Sequence, residues 1–180
     1  MSKKESRSKF LSLILRHKPE TIGISLDDNG WADVNQLLSN IAIKDKDFNF
    51  KVLEDIVRTD GKKRYSFNDD KTKIRANQGH SIKVDVELKL ATPPDILFHG
   101  TGSRAIDSIH KQGLKKINRL HVHLSDNYDT AVKVGSRHGI PVVIKIDAAK
   151  MLQDGYKFYI SENGVWLVDN VPSKYFILDI

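Results

Sequence analysis

The chain has 180 residues, of which 39% are apolar and 29% charged, with a net charge of +6. That is enough for one large domain or two small ones with packed cores, and the basic excess suits a polyanionic partner without specifying one. There is no cysteine, which excludes disulfides, thiolate nucleophiles and cysteine-ligated zinc. No apolar run reaches membrane-spanning length, and no apolar signal core follows the basic start MSKKESRSK. A cytoplasmic protein that does not enter a membrane is expected.

The first half reads as three helices and a small sheet. Ser6 to Lys18 is predicted helical, with Phe10, Leu11, Ile14 and Leu15 on one face and Pro19 ending it. Arg16 and His17 then fall in the last turn. Cations there complement the helix dipole, and they can also form an anion site if other cations offset the dipole. Gly23 to Trp31 resembles a hairpin turning at Asp28-Asn29-Gly30. Asp33 can cap a helix over Val34–Ile41. A further helix spans about Phe48 to Arg58, Asp60-Gly61 is a turn, and 64–67 and 73–76 are strands joined at Asn68-Asp69-Asp70. Three helices followed by a two-stranded wing describe a winged-helix arrangement. Lys62-Lys63-Arg64 is a solvated wing tip or a phosphate contact.

Pro93-Pro94 marks a junction running from about Lys83. Beyond it, Ile96-Leu97-Phe98 begins a buried strand that leads into His99-Gly100-Thr101-Gly102. A helix follows, and Gly113 sits where a left-handed cap would fall. Leu120 to Ser125 is a strand with His121 and His123 on one face and Val122 and Leu124 on the other. Gly100-x-Gly102-x-x-Ala105 matches a dinucleotide fingerprint between strand and helix, and Asp126 lies near the position of a ribose-binding acid. A plain glycine turn and a different nucleotide cleft are the other readings. Asp126 can cap a helix from Tyr128 to Arg137. Strands at 141–146, 157–160 and 165–168 and a helix at 148–154 complete a lobe too short, and too rich in late strands, for a full doubly wound domain.

Four blocks stand out: LRH at 15–17, KKRYSF at 62–67, RANQGHS at 75–81 and HGT…NRLHVHLS at 99–125, with GVWL at 164–167. In this order, across Phe10 to Phe176, they resemble the NAD-dependent RNA 2′-phosphotransferase family of the KptA type. The resemblance implies an α+β chain. Residues 1–85 would be a winged-helix RNA lobe, and residues 93–180 an ADP-ribosyltransferase-like mixed α/β lobe, with the substrates in a cleft between them. It implies NAD consumed as a co-substrate, RNA bearing a 2′-phosphate as the partner, no metal and no obligate protein partner. The catalytic set carries over to Arg16, His17, Arg64 and Arg119. NAD contacts carry over to His99, Gly100, Thr101, His123 and Ser125. Many ADP-ribosyltransferases have Glu near the place of Val165; this family has an apolar residue, as here. Lys63, Arg75 and His80 are the candidate RNA contacts, although His80 serves equally as a structural hydrogen-bonding residue.

The chemistry asks for these residue types. A phosphomonoester carries nearly two charges near neutral pH, and arginine forks hold it bidentately while staying protonated. His17 can hydrogen-bond it or transfer a proton. His121 and His123 lack a third ligand at metal-binding spacing. An ADP-ribosyltransferase for other phosphorylated ends or small molecules is the alternative enzyme. The non-enzymatic alternative is an RNA-binding winged-helix protein with a vestigial nucleotide lobe; the intact Arg and His set argues against it.

Overall fold

Ser2 and Glu5 start the first helix, α1 (Lys3–Arg16), through a reciprocal capping box, in a computed structural model that describes residues 2–177. The helix therefore begins three residues before the predicted Ser6. Its buried stripe is Leu11, Ile14 and Leu15, with Phe10 half-buried beside them. The chain forms two compact units, one up to Glu87 and one from Leu88 onward, and the whole is a mixed α+β protein.

In the first unit β1 (Trp31–Asp33) leads into α2 (Val34–Ala42), which Asp33 caps by accepting from Gln36 N at 2.7 Å. Then come α3 (Phe50–Thr59), capped by Asn49, and strands β2 (Tyr65–Phe67) and β3 (Lys73–Ala76). The antiparallel sheet runs β1-β3-β2. The expected hairpin over Gly23–Trp31 does not form. The Asp27 carboxylate accepts from the amides of Asn29 and Trp31 and closes a local turn. Upstream, the Trp31 carbonyl accepts one backbone bond, from Asp27 N at 2.9 Å, and its strand pairing is with Arg75 of β3. Turn chemistry is local and legible; the strand's partner, more than forty residues away, is not. Leu11, Leu15, Leu37, Leu53, Ile56 and Ile74 make the core.

The second unit runs β4 (Lys89–Leu90), β5 (Ile96–Gly102), α4 (Ile106–Gln112), β6 (Leu114–Lys115), β7 (Val122–Leu124) and α5 (Tyr128–Gly135). It continues through β8 (Pro141–Asp147), α6 (Ala148–Gln153), β9 (Tyr159–Ile160), β10 (Trp166–Val168), β11 (Asn170–Val171) and β12 (Phe176–Ile177). One sheet runs β4-β9-β10-β7 and another β12-β8-β5, with β11-β6 as a separate pair. Leu97, Ile146, Met151, Phe158, Val168 and Val171 fill the core. The α5 cap is Asn127, which accepts from Thr130 N, and not the expected Asp126.

The dinucleotide fingerprint is overturned. Gly100 and Gly102 lie inside β5, in unbroken antiparallel register with β8, and form no strand-to-helix turn. They are glycines because other backbone lies against them. A Cβ on Gly100 would sit 1.8 Å from the Ala131 carbonyl oxygen, and one on Gly102 would sit 2.3 Å from that of His138. Gly113 is also not a left-handed cap. Its φ of +73° with ψ of −178° belongs to a region open essentially to glycine alone.

Replacing Gly100 by Ala should therefore force α5 off the strand and cost about 2–4 kcal/mol in urea unfolding. Gly61→Ala, which meets no atom within 4 Å, should be neutral to within about 1 kcal/mol. Equal stabilities for the two variants would contradict the packing account.

Candidate functional site

The last turn of an α-helix leaves carbonyls without helical partners. In α1 a distant segment, residues 75–81, supplies donors for them. The His80 imidazole donates to the Leu15 carbonyl, and Ser81 N donates to that of Arg16 at 3.0 Å. The Ser81 hydroxyl lies 2.9 Å from His17 Nδ1. Gly79, at φ +87°, passes over the Arg16 guanidinium; an added Cβ would lie 3.5 Å from its Nη1. Farther back, Asn77 N donates to the Arg64 carbonyl at 2.9 Å, and Asn77 Nδ2 donates to that of Lys63 at 2.8 Å. One stretch thus gathers Arg16, His17, Lys63 and Arg64.

Arg64 is fixed a second way. Asp60 accepts from its backbone N at 2.7 Å and from its Nη2 at 2.8 Å. The Asp60 side chain is only 4% exposed while that of Arg64 is 29% exposed. The guanidinium is anchored from behind with part of its fork on the surface. Lys63 is exposed, with φ of +44°.

Arg75 and His80, read from the sequence as RNA contacts, have buried side chains. The Arg75 guanidinium stacks 4.4 Å from the Trp31 ring centre and donates to Glu87 at 2.9 Å. Burial, and then the charges of Arg16, His17 and Arg75, push the His80 pKa down to about 4. The side chain is neutral near pH 7 and adds no charge. These two residues support the segment from inside.

In the second unit β5 and β7 meet at a bridge, Phe98 N to Ser125 O at 2.7 Å and Ser125 N to Phe98 O at 2.9 Å. His99 Nδ1 donates to the His123 carbonyl at 3.0 Å. Burial holds the His99 imidazole below its ordinary pKa, and the charges of Arg119 and His138 add to this. Arg119 closes a turn on Lys116 and places Nη1 2.7 Å from His123 Nδ1. Ser125 Oγ accepts from Asn127 N at 3.1 Å, fixing the entry to α5. Thr101 is buried in β5, and Gly100 serves its packing against α5. Val165 is held at its backbone by Ser161, whose Oγ accepts from Val165 N at 3.1 Å. It leads into β10, where Leu167 pairs with His123.

Of the expected catalytic set, Arg16, His17 and Arg64 are assembled in the first unit, and Arg119 joins His99 and His123 in the second. Sequence reading misses Asp60, Asn77, Ser81 and Ser161 as positioning residues. Asp60-Gly61 reads as a turn, and Asn77 and Ser81 stand in a recognised block. Their partners are too distant in sequence to be inferred. Among the described residues no group of three or more His, Asp or Glu is arranged to hold a metal. No described helix is long and apolar enough to cross a membrane.

Fold and site define an α+β protein whose polar clusters are built from arginine and histidine on two units. Residues 2–170 match the model of the RNA 2′-phosphotransferase, Tpt1 / KptA family. The chain is 53% identical over 171 residues to a relative from Flavobacterium johnsoniae, covering 95% of this chain and 94% of that one. A Fusobacterium nucleatum relative is 55% identical over 168 residues, covering 93% and 94%. One from Hahella chejuensis is 50% identical over 179 residues, covering 99% and 96%. All three are named "Probable RNA 2'-phosphotransferase". The chain belongs to the RNA 2′-phosphotransferase, Tpt1 / KptA family.

The buried His80 makes stability depend on pH. Its pKa in the fold lies below its unfolded value, so the unfolded chain takes up the proton first on acidification. Stability is full above about pH 6.5 and is lost as pH falls toward 4. The shift corresponds to about 3 kcal/mol at most. His99 and His121 are lowered too and act in the same direction. Urea unfolding of wild type and His80→Gln at pH 7 and pH 4.5 isolates the His80 part. Wild type should lose more stability than the variant over that interval; parallel losses would contradict the assignment.

Proposed function

We propose that the chain transfers an internal 2′-phosphate from RNA to NAD, which is consumed as co-substrate. The products are RNA with a 2′-hydroxyl, nicotinamide and ADP-ribose 1″,2″-cyclic phosphate. Family membership supports the transferase reading. The observation that carries the phosphate site is the gathering of Arg16, His17 and Arg64 by residues 75–81. The element order of the first unit supports a winged-helix reading with RNA as its ligand. The bridged strands β5 and β7, with His99 and His123, support an ADP-ribosyltransferase-like reading of the second. A neutral His99 whose Nδ1 is committed to a carbonyl keeps a lone pair at Nε2, which suits a ribose hydroxyl of NAD.

In this reading the reaction has two steps. A 2′-phosphate oxygen attacks C1″ of the nicotinamide ribose, and the bond to the nicotinamide nitrogen breaks. The attacking group is already an anion, so no carboxylate base is required, and an apolar Val165 fits that need. Next the ribose 2″-hydroxyl attacks phosphorus and the bond to RNA O2′ breaks. The hydroxyl proton is delivered to that oxygen, a transfer within the range of His17. Arg16 and Arg64 hold the phosphate through both steps. Charge builds on its oxygens mainly in the second, where losing one preorganised donor costs about 3–4 kcal/mol.

A single-turnover assay with RNA radiolabelled at one internal 2′-phosphate tests this. Wild type should remove the phosphate only when NAD is added, and should do so in EDTA. Arg64→Ala should release nicotinamide yet accumulate an RNA–phospho–ADP-ribose species on a denaturing gel. Phosphate loss without NAD would overturn the reaction. Equal slowing of both steps with no intermediate would reduce Arg64 to a binding residue.

A further inference from the structure

The hydrogen bonds around β5 and β7 determine where two protons sit. A guanidinium has donors only. With Arg119 Nη1 2.7 Å from His123 Nδ1, that ring nitrogen must accept, so it carries no proton. The imidazole is then neutral, with its proton on Nε2. A carbonyl, by contrast, can only accept. With His99 Nδ1 3.0 Å from the His123 carbonyl, that nitrogen must donate, and in a neutral ring Nε2 keeps a lone pair. The two histidines are tied to each other by the second bond, and the first bond orients one of them.

We infer that His99 and His123 are locked in opposite neutral tautomers, and that Arg119 is the positioning residue that sets the tautomer of His123. His99 presents an acceptor at Nε2 and His123 a donor at Nε2. A ligand meeting both must offer a hydroxyl hydrogen to one and an oxygen lone pair to the other. A ribose diol offers both, whereas a carboxylate offers acceptors alone and an ammonium donors alone. Arg119 therefore has a role apart from any phosphate contact: one N–H of its fork is committed to His123, and the remainder can face an anion. Lysine at this place could keep the tautomer, being donor-only, but would lose the fork. The ligand half of this inference rests on the NAD reading; the tautomer half does not.

The test is long-range proton–nitrogen NMR on histidine-labelled protein at pH 7, first with no ligand. His99 should show the proton on Nδ1 and His123 on Nε2. The same tautomer on both rings, or a doubly protonated His123, would overturn the inference. In Arg119→Ala the His123 nitrogens should move to the averaged shifts of an exchanging imidazole, while Arg119→Lys should restore the Nε2–H pattern. Unchanged His123 shifts in Arg119→Ala would remove Arg119 from this role. The Arg119 side chain lies at the surface, so neither variant disturbs a core. NAD without RNA is then added to wild type. Shifts at both Nε2 positions support the diol contact. Shifts at neither would overturn the ligand half, and the tautomers already measured would stand.

Discussion

The first unit depends on how the C-terminal end of α1 is closed. A helix end carries roughly half a negative charge and several orphan carbonyls, a poor place for a phosphate. Here the Leu15 and Arg16 carbonyls are taken by His80 and Ser81, so the helix end meets donors from the protein itself. The same segment holds His17 through Ser81 and Arg64 through Asn77. A structural need, finishing a helix, and a chemical one, gathering cations, are met by one stretch of chain. Burial keeps His80 neutral within it, so that side chain adds no charge to the cluster.

The second unit solves a different problem. β5 must pack closely on α5 while carrying His99 between Phe98 and Gly100. Alternation along the strand puts Gly100 and Gly102 on the helix-facing side, where the Ala131 and His138 carbonyls leave no room for a side chain. His99 and Thr101 point the other way. The glycines serve the packing, and the packing holds the strand that bears His99. The bridge to Ser125 and the bond from His99 to the His123 carbonyl then tie β5 to β7.

Much of this is legible in the sequence because it is local. The stripe of α1, the Asp33 cap, the alternation of β7 and the turn at Asp60-Gly61 follow from spacing and side-chain type. The failures are long-range or depend on close backbone approach. Trp31 finds its strand partner at Arg75, and no pattern between Gly23 and Trp31 says so. The spacing of Gly100, Gly102 and Ala105 imitates a nucleotide fingerprint, although helix contact is what requires those glycines. Arg75 and His80 carry polar labels that suggest contact with a ligand. Only the fold shows Trp31 and Glu87 on one and the end of α1 on the other. The motif blocks were sufficient to indicate the family, since several of them occur in order. They could not separate the residues that face outward from those that hold them.

The central claim is that residues 75–81 organise a phosphate site from Arg16, His17 and Arg64. The uncharged Asn77 side chain donates to the Lys63 carbonyl, next to Arg64. Asn77→Ala, which keeps the backbone bond to the Arg64 carbonyl, therefore loosens the segment that carries Arg64 and tests organisation apart from electrostatics. The direct measurement compares the affinity of Asn77→Ala and wild type for two RNAs that differ only in one internal 2′-phosphate. The account predicts that wild type prefers the phosphorylated RNA and that the variant loses about tenfold of that preference, ~1.4 kcal/mol, with little change for the unmodified RNA. A variant that folds and keeps the full preference would contradict it.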